Sequence, residues 1–260
     1  MMRLQLTLDH PPNQVLPINY QYLISSWIYR TLGNADATYA GRLHDLGYDF
    51  GSKKYKLFTF GPLVPVLYQI DQKNRAFILR KGPSQLQLSF FVDEALQKFV
   101  LGLFQNQQFV LRSGRFGAAM VVQEAITLPP PFFKTSMRFR TLSPVCIGAY
   151  EANQEHAQYR SPLDKDYAQL LLMNLWRKQQ AISKKRIGVG EALLPLGRHG
   201  HFECLSKVRS KLITFKKNQY RGYHFDFSLT APTDLLELGY YAGFGEKNSG
   251  VGMGMVQVLN

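Results

Sequence analysis

The chain has 260 residues, which fits one large domain or two of about 130. Hydrophobic residues make up 45% of it, which excludes wholesale disorder, and its net charge of +13 is spread over both halves. Such a field favours a polyanionic partner, either nucleic acid or an anionic membrane surface.

Leu4, Leu6 and Leu8 alternate with Arg3, Gln5 and Thr7, the pattern of a half-buried strand that Pro11, Pro12 and Pro17 should end. Met1 to Pro12 lacks a signal-peptide core. Asn19 is placed to cap a helix striped by Tyr20, Leu23, Ile24, Trp27, Ile28 and Thr31. Tyr29 falls on the back of that stripe and shares its face with Tyr22, a phenol that a core does not account for. A shorter helix is expected after Asn34, ending before Gly47, with Ala37, Ala40, Leu43 and Leu46 apolar and His44 at their edge. Lys53, Lys54 and Lys56 lead into a strand at 57–60. Residues 64–70, 76–80 and 86–91 read as further strands. Asp93 then caps a helix reaching Phe104, with Ala95, Leu96, Phe99, Val100 and Leu103 on one side. Residues 109–126 form a strand region broken at Ser113-Gly114.

That order is the ferredoxin-like plan. Leu128-Pro129-Pro130-Pro131 marks a boundary, since consecutive prolines neither continue a helix nor pair in a central strand. It gives domains at 1–127 and 132–260. After it the order repeats: a strand at 137–145, then a helix at 164–182 striped by Tyr167, Leu170, Leu171, Asn174, Leu175 and Lys178. Lys184-Lys185-Arg186 closes that helix. Strands at 212–215 and 223–229 flank a turn carrying Lys216, Lys217 and Arg221, and Thr233 and Asp234 open a short helix. The expected fold is α+β: two tandem ferredoxin-like (RRM-like) domains, each an antiparallel sheet with helices on one face. His199-Gly200-His201 lacks a third ligand and reads as a polar loop. Cys146 and Cys204 lack C-x-x-C spacing and read as packing residues of a reduced, cytoplasmic protein. No apolar run approaches the ~18 residues of a membrane-spanning helix.

Between Gly243 and Gly254 five glycines surround Lys247, Asn248 and Ser249, with a last strand expected at 253–259. Glycine at that density permits positive φ and close approach of another chain, and its amides can converge on a phosphate. A dinucleotide fingerprint is excluded because Asn248 stands at the third glycine position. A P-loop is excluded because Val251 and Gly252 follow Gly250.

The wording of this stretch, Gly243-Phe244-Gly245-Glu246-Lys247-Asn248-Ser249 and then Gly252-Met253-Gly254-Met255-Val256, is specific. It closely resembles the C-terminal glycine loop of the sixth Cas family, the CRISPR-associated endoribonucleases of the RAMP superfamily that cut precursor guide RNA. Along the chain, Tyr20 through Tyr29 resembles that family's first helix with its Ile-Tyr step. Leu43-His44-Asp45 resembles its Leu-His-acidic step, and Lys56-Leu57-Phe58-Thr59 its Lys-Leu-Phe-Thr step. Leu142-Ser143-Pro144 resembles the start of its second domain. The resemblance implies His44, Tyr29 and Lys56 as catalytic. RNA contacts are expected from Lys53 and Lys54, from the basic turn of Lys216, Lys217 and Arg221, and from Gly243, Gly245, Lys247, Asn248, Ser249, Gly250 and Gly252.

The residue types suit the chemistry implied. A ribose 2′-hydroxyl attacks the adjacent phosphate in line, leaving a 2′,3′-cyclic phosphate and a 5′-hydroxyl. Histidine suits either proton transfer at neutral pH, a lysine can neutralise the phosphorane, and a tyrosine can position or donate. Which group is base and which is acid stays open. No metal and no cofactor are expected. The expected partner is CRISPR repeat RNA, with other CRISPR effector subunits as a further class, no membrane, and a monomer or homodimer. The alternative is a catalytically inactive repeat-RNA-binding member or a structural subunit of a CRISPR complex. A third reading, an unrelated basic protein such as a membrane-surface binder, would want a Lys/Arg-rich amphipathic helix, whereas the clearest helix carries its apolar residues like a core helix.

Overall fold

The computed structural model describes residues 1–149, 157–183, 200–215 and 218–259. Alternation along the strand Met2–Asp9 buries Leu4, Leu6 and Leu8 on one face and turns Arg3, Gln5 and Thr7 to the other. Beside it the strands Phe58–Phe60, Ser84–Phe90, Met2–Asp9 and Phe116–Leu128 pair in that order, every pair antiparallel. In chain order these are the second, third, first and fourth strands of the unit. The C-terminal half repeats the arrangement with His201–Cys204, Asp226–Thr230, Ser136–Thr141 and Val256–Leu259. The fold is thus α+β with the ferredoxin-like strand order twice. The first sheet is widened by Gln108–Ser113 and by the short strands Gln14–Pro17, Ala76–Leu79 and Tyr68–Asp71.

Helices α1 (Gln21–Ala35), α2 (Ala37–Asp45) and α3 (Asp93–Gln105) serve the first half. α1 and α3 cover one face of its sheet, with Trp27 edge-on to Phe99 at 5.7 Å. In the second half α4 (Tyr167–Ile182) and α5 (Thr233–Ala242) close over Phe139, Phe227 and Leu229.

Helix ends depart from expectation. Tyr20, not Asn19, precedes α1, and no side chain caps it. α1 runs on past Asn34, and the chain breaks at Asp36, whose carboxylate accepts the Tyr39 N–H at 2.8 Å and so caps α2. Val92 holds the cap position of α3, so Asp93 is its first residue. Leu46 lies beyond α2 and is exposed, as is Ala37.

Several strands differ as well. Pro17 ends a strand of its own, Gln14–Pro17, where its missing N–H costs least. Residues 64–70 divide into Val64–Pro65 and Tyr68–Asp71, and the strand expected at 137–145 stops at Thr141. Residues 223–229 are shared between two sheets: Asn218–His224 pairs with Arg209–Phe215, and Asp226–Thr230 joins the main sheet. Arg221 therefore sits within a strand, opposite Leu212, and not in the turn. His201 opens a strand instead of lying in a loop, and the last strand is only Val256–Leu259. His199, Lys184-Lys185-Arg186, Lys216 and Lys217 lie outside the described residues.

Arg3 joins the halves. Only 2% exposed, it forks from the first strand to the carbonyls of Val256 and Tyr240 at 2.6 and 2.7 Å and stacks on the Tyr240 ring. Burial lowers the guanidinium to about 10, so it keeps its charge at neutral pH. Phe50 and Trp176 add an edge-to-face contact at 5.3 Å. Charged hydrogen bonds to buried acceptors contribute roughly 1.5–3 kcal/mol each. Arg3→Ala is therefore expected to lose at least that much in urea unfolding, whereas wild-type stability would show that the two carbonyls find other donors.

Candidate active site

The site begins at the end of α2, where the last carbonyls of a helix lack partners. Lys56 Nζ donates to the His44 carbonyl at 2.5 Å and Lys54 Nζ to that of Asp45 at 3.0 Å. Gly47 makes room for this: at φ +62° it turns the chain, and a Cβ there would lie 2.9 Å from Lys56 Cδ. The His44 ring is held through Nδ1 by Asp45 Oδ1 at 2.7 Å, and both side chains are largely exposed. In that geometry the contact orients the imidazole and contributes little stability. With Nδ1 engaged, Nε2 is the nitrogen left to meet an outside group.

Tyr29 reaches the same point from α1. Its ring stands edge-on to His44 at 5.0 Å and to Phe58 at 5.6 Å. Burial pushes the phenol up to about 12, with the neighbouring Ser249 side chain opposing, so it is protonated at neutral pH. Lys56 is drawn below its ordinary range by burial and then by Lys54, against Asp45. The fold thus gathers Tyr29, His44 and Lys56 from three separate elements. Tyr22 leans the other way, donating to Ser113 Oγ at 2.6 Å and packing on Phe215.

The glycine loop closes the other side. It leaves α5 at Gly243 (φ +90°) and makes one helical turn, Asn248–Val251. Its glycines serve close packing: a Cβ on Gly245 would meet the Cys146 carbonyl at 2.4 Å, and one on Gly252 the Phe60 ring at 2.5 Å. The amides of Phe244, Glu246, Gly252 and Gly254 are taken up by carbonyls inside the protein. Asn248 also faces inward, its Nδ2 donating to Phe244 O and Met253 O at 3.1 and 2.8 Å. Its Oδ1 accepts from Lys178 Nζ at 2.8 Å.

The remaining candidates divide by position. Lys53, Lys54, Lys56, Lys247, Ser249 and Gly250 line a cleft between the halves together with Tyr55, Phe215 and Tyr220. Lys53 is bridged to Glu246 at 2.5 Å, and Lys247 Nζ lies 4.8 Å over the Tyr220 ring. Gly243 and Gly252 are buried away from the cleft, and Gly245, also buried, lies in its wall. Arg221 alternates with Tyr220 and so points away from the cleft. Sequence reasoning missed Tyr220 and Lys178. The signal for Lys178 was a lysine within a helical stripe that is mostly apolar. Among the described residues no three His, Cys, Asp or Glu side chains gather as metal ligands, and no helix is long and apolar enough to cross a membrane.

Comparison with known proteins gives consistent matches over both halves. The family model described as CRISPR-associated protein Cas6, N-terminal, matches residues 15–123, and that described as CRISPR associated protein Cas6, C-terminal, matches residues 128–258. The chain is 30% identical over 258 residues to the CRISPR-associated endoribonuclease Cas6 1 of Methanocaldococcus jannaschii, covering 98% of this chain and 92% of that one. It is 26% identical over 245 residues to the CRISPR-associated endoribonuclease Cas6 of Pyrococcus furiosus, covering 94% and 83%. The solved structure of a Cas6-related protein from Pyrococcus furiosus superposes with a TM-score of 0.79 at 21% identity, covering 100% of this chain and 98% of that one.

The glycine loop offers a direct check on its packing. Gly254 (φ +82°) would bring a Cβ within 1.9 Å of the Phe244 carbonyl, whereas Gly250 has nothing within 4 Å. Backbone strain alone costs roughly 1–3 kcal/mol at such a position. Gly254→Ala is expected to lower the Tm clearly and Gly250→Ala to leave it near wild type. Equal shifts would mean that the loop is not wedged in this way.

Proposed function

Since this chain belongs to the CRISPR-associated Cas6 family, we propose that it is a metal-independent, sequence-specific endoribonuclease. Its substrate is CRISPR precursor RNA, cut within the repeats in the cytoplasm, with residues 1–127 and 132–260 as its two domains. The observation that carries this reading is the meeting of Tyr29, His44 and Lys56 beside a basic cleft. Curated relatives named as endoribonucleases support it.

In the proposed reaction the ribose 2′ oxygen forms a bond to phosphorus as the bond to the 5′ oxygen breaks. The 2′-hydroxyl gives up a proton and the departing oxygen gains one. Tyr29, protonated at neutral pH, enters as a hydrogen-bond donor. Lys56 places a cation where charge gathers on the phosphate. His44 moves a proton through Nε2, histidine being the side chain suited to both directions near neutral pH. Lys53, Lys54 and Lys247 neutralise flanking phosphates, while Tyr220 and Phe215 offer rings on which unpaired bases stack. Lys216, Lys217 and Arg221 are further proposed phosphate contacts, Arg221 standing outside the cleft.

General acid–base groups contribute roughly 10²–10⁴-fold in rate. His44→Ala is expected to slow cleavage of the cognate repeat RNA by that order with affinity nearly kept, and Tyr29→Phe and Lys56→Ala by smaller factors. Cleavage by His44→Ala at the wild-type rate would sink the assignment. A wild-type protein that binds repeat RNA without cutting it would instead fit an inactive binding member.

The identity of the nucleophile is tested separately. Cleavage should persist in excess EDTA and fail when the nucleotide before the cut carries a 2′-deoxy sugar. Inhibition by the chelator, or normal cutting of the deoxy substrate, would point to a metal-activated water.

A further inference from the structure

Lys178 lies in the buried, mostly apolar stripe of α4 and is 2% exposed. Burying an ammonium is costly, and at this place an apolar side chain would complete the stripe without that cost. Its Nζ donates to the Gly243 carbonyl at 2.5 Å, the Gly245 carbonyl at 2.7 Å and Asn248 Oδ1 at 2.8 Å. Three acceptors match the three N–H bonds of an ammonium; a neutral amine would turn a lone pair toward one of the oxygens. Burial lowers the group to about 7, with Glu246 of the loop opposing and Lys53 of the facing strand adding to the shift. The three acceptors favour the charged form.

The consequences run outward from that nitrogen. With Oδ1 on Lys178, the Asn248 amide has one orientation, and its Nδ2 closes the loop onto Phe244 O and Met253 O. The next residue, Ser249, accepts from Ser25 Oγ through its carbonyl at 2.7 Å. Ser25 and Tyr29 stand one turn apart on α1, and the Ser249 side chain lies beside the Tyr29 phenol. Tyr29 in turn meets His44.

We propose that Lys178 is a positioning residue of the cleavage site, its ammonium fixing the glycine loop so that Ser249 and Tyr29 are held where His44 acts. It works through the loop, so it is not itself a catalytic residue. The catalytic half of this inference rests on the endoribonuclease reading; the loop clamp does not.

Lys178→Met keeps an unbranched side chain, one atom shorter, and removes its donors. Three quantities are compared with wild type: hydrogen exchange at the amides of Phe244, Glu246, Gly252 and Gly254, affinity for the cognate repeat RNA, and its single-turnover cleavage at saturation. The loop amides are expected to exchange at least about tenfold faster. Cleavage should fall about 10²-fold, the loss typical when a reacting group is misplaced by about 1 Å. Kd should shift by less than about threefold, the sign of a loss confined to the chemical step. Combining Lys178→Met with Ser249→Ala should slow cleavage no further than Lys178→Met alone. Asn248→Ala removes one acceptor by a milder route and should shift exchange and rate in the same direction, so the inference stands or falls even if Lys178→Met fails to fold. Wild-type exchange and cleavage in the foldable variant, or fully multiplicative losses in the double variant, would overturn it. A wild-type protein that does not cut repeat RNA would defeat the functional reading instead, and exchange would still decide the clamp.

Discussion

At Gly252 the C-terminal loop runs so close to Phe60 that a single added carbon would lie 2.5 Å from the ring and 2.8 Å from the carbonyl. That approach of backbone to backbone is the constraint on which the site depends. It lets Thr59 donate to the Met253 carbonyl at 2.9 Å and brings Ser249 over α1. The candidate catalytic side chains all come from the first half, but the wall they face is supplied by the second. Glycine is required here for contact more than for flexibility.

Buried carbonyls explain why cations are buried here, Arg3 at the joint between the halves and Lys178 beneath the glycine loop within the second half. A loop wedged against a sheet edge leaves oxygen atoms that no water reaches, and an uncharged donor satisfies at most one or two of them. Arg3 serves two and Lys178 three. Neither is paired mainly with a carboxylate; each substitutes for missing backbone N–H groups. This distinguishes them from Lys53, which meets Glu246 at the cleft edge as an ordinary ion pair.

Much of the fold was legible because burial repeats along the chain. Leucines at alternate positions announced the first strand, and the stripe from Tyr167 to Lys178 announced α4. The order of elements then implied the strand order found twice. Helix ends were less legible, since whether Asn34 or Asp36 caps α2 turns on the φ and ψ of one residue. The division at Phe225 was hidden because apolar alternation continues while the chain passes from one sheet to another. For the site, short stretches around Tyr29, His44 and Lys56 pointed to residues that the fold brings together. Lys178 could not be read as anything but an oddity, because its acceptors lie 65 to 70 residues away in sequence.

α2 carries a consequence of its own. At nine residues it is too short to persist alone in water, where helices below about 12–15 residues are marginal. It is clipped at both ends: Lys98 bonds its capping Asp36 at 2.6 Å, and Lys56 and Lys54 take up its last carbonyls. These clips are charged contacts at or near the surface, and screening by salt weakens such contacts more than it weakens a packed core. Ionic strength therefore acts on this protein twice. It loosens the grip of a basic cleft on any polyanion, and it weakens the clips at both ends of the short helix that carries His44, while the core that holds Tyr39 and Leu43 stays intact.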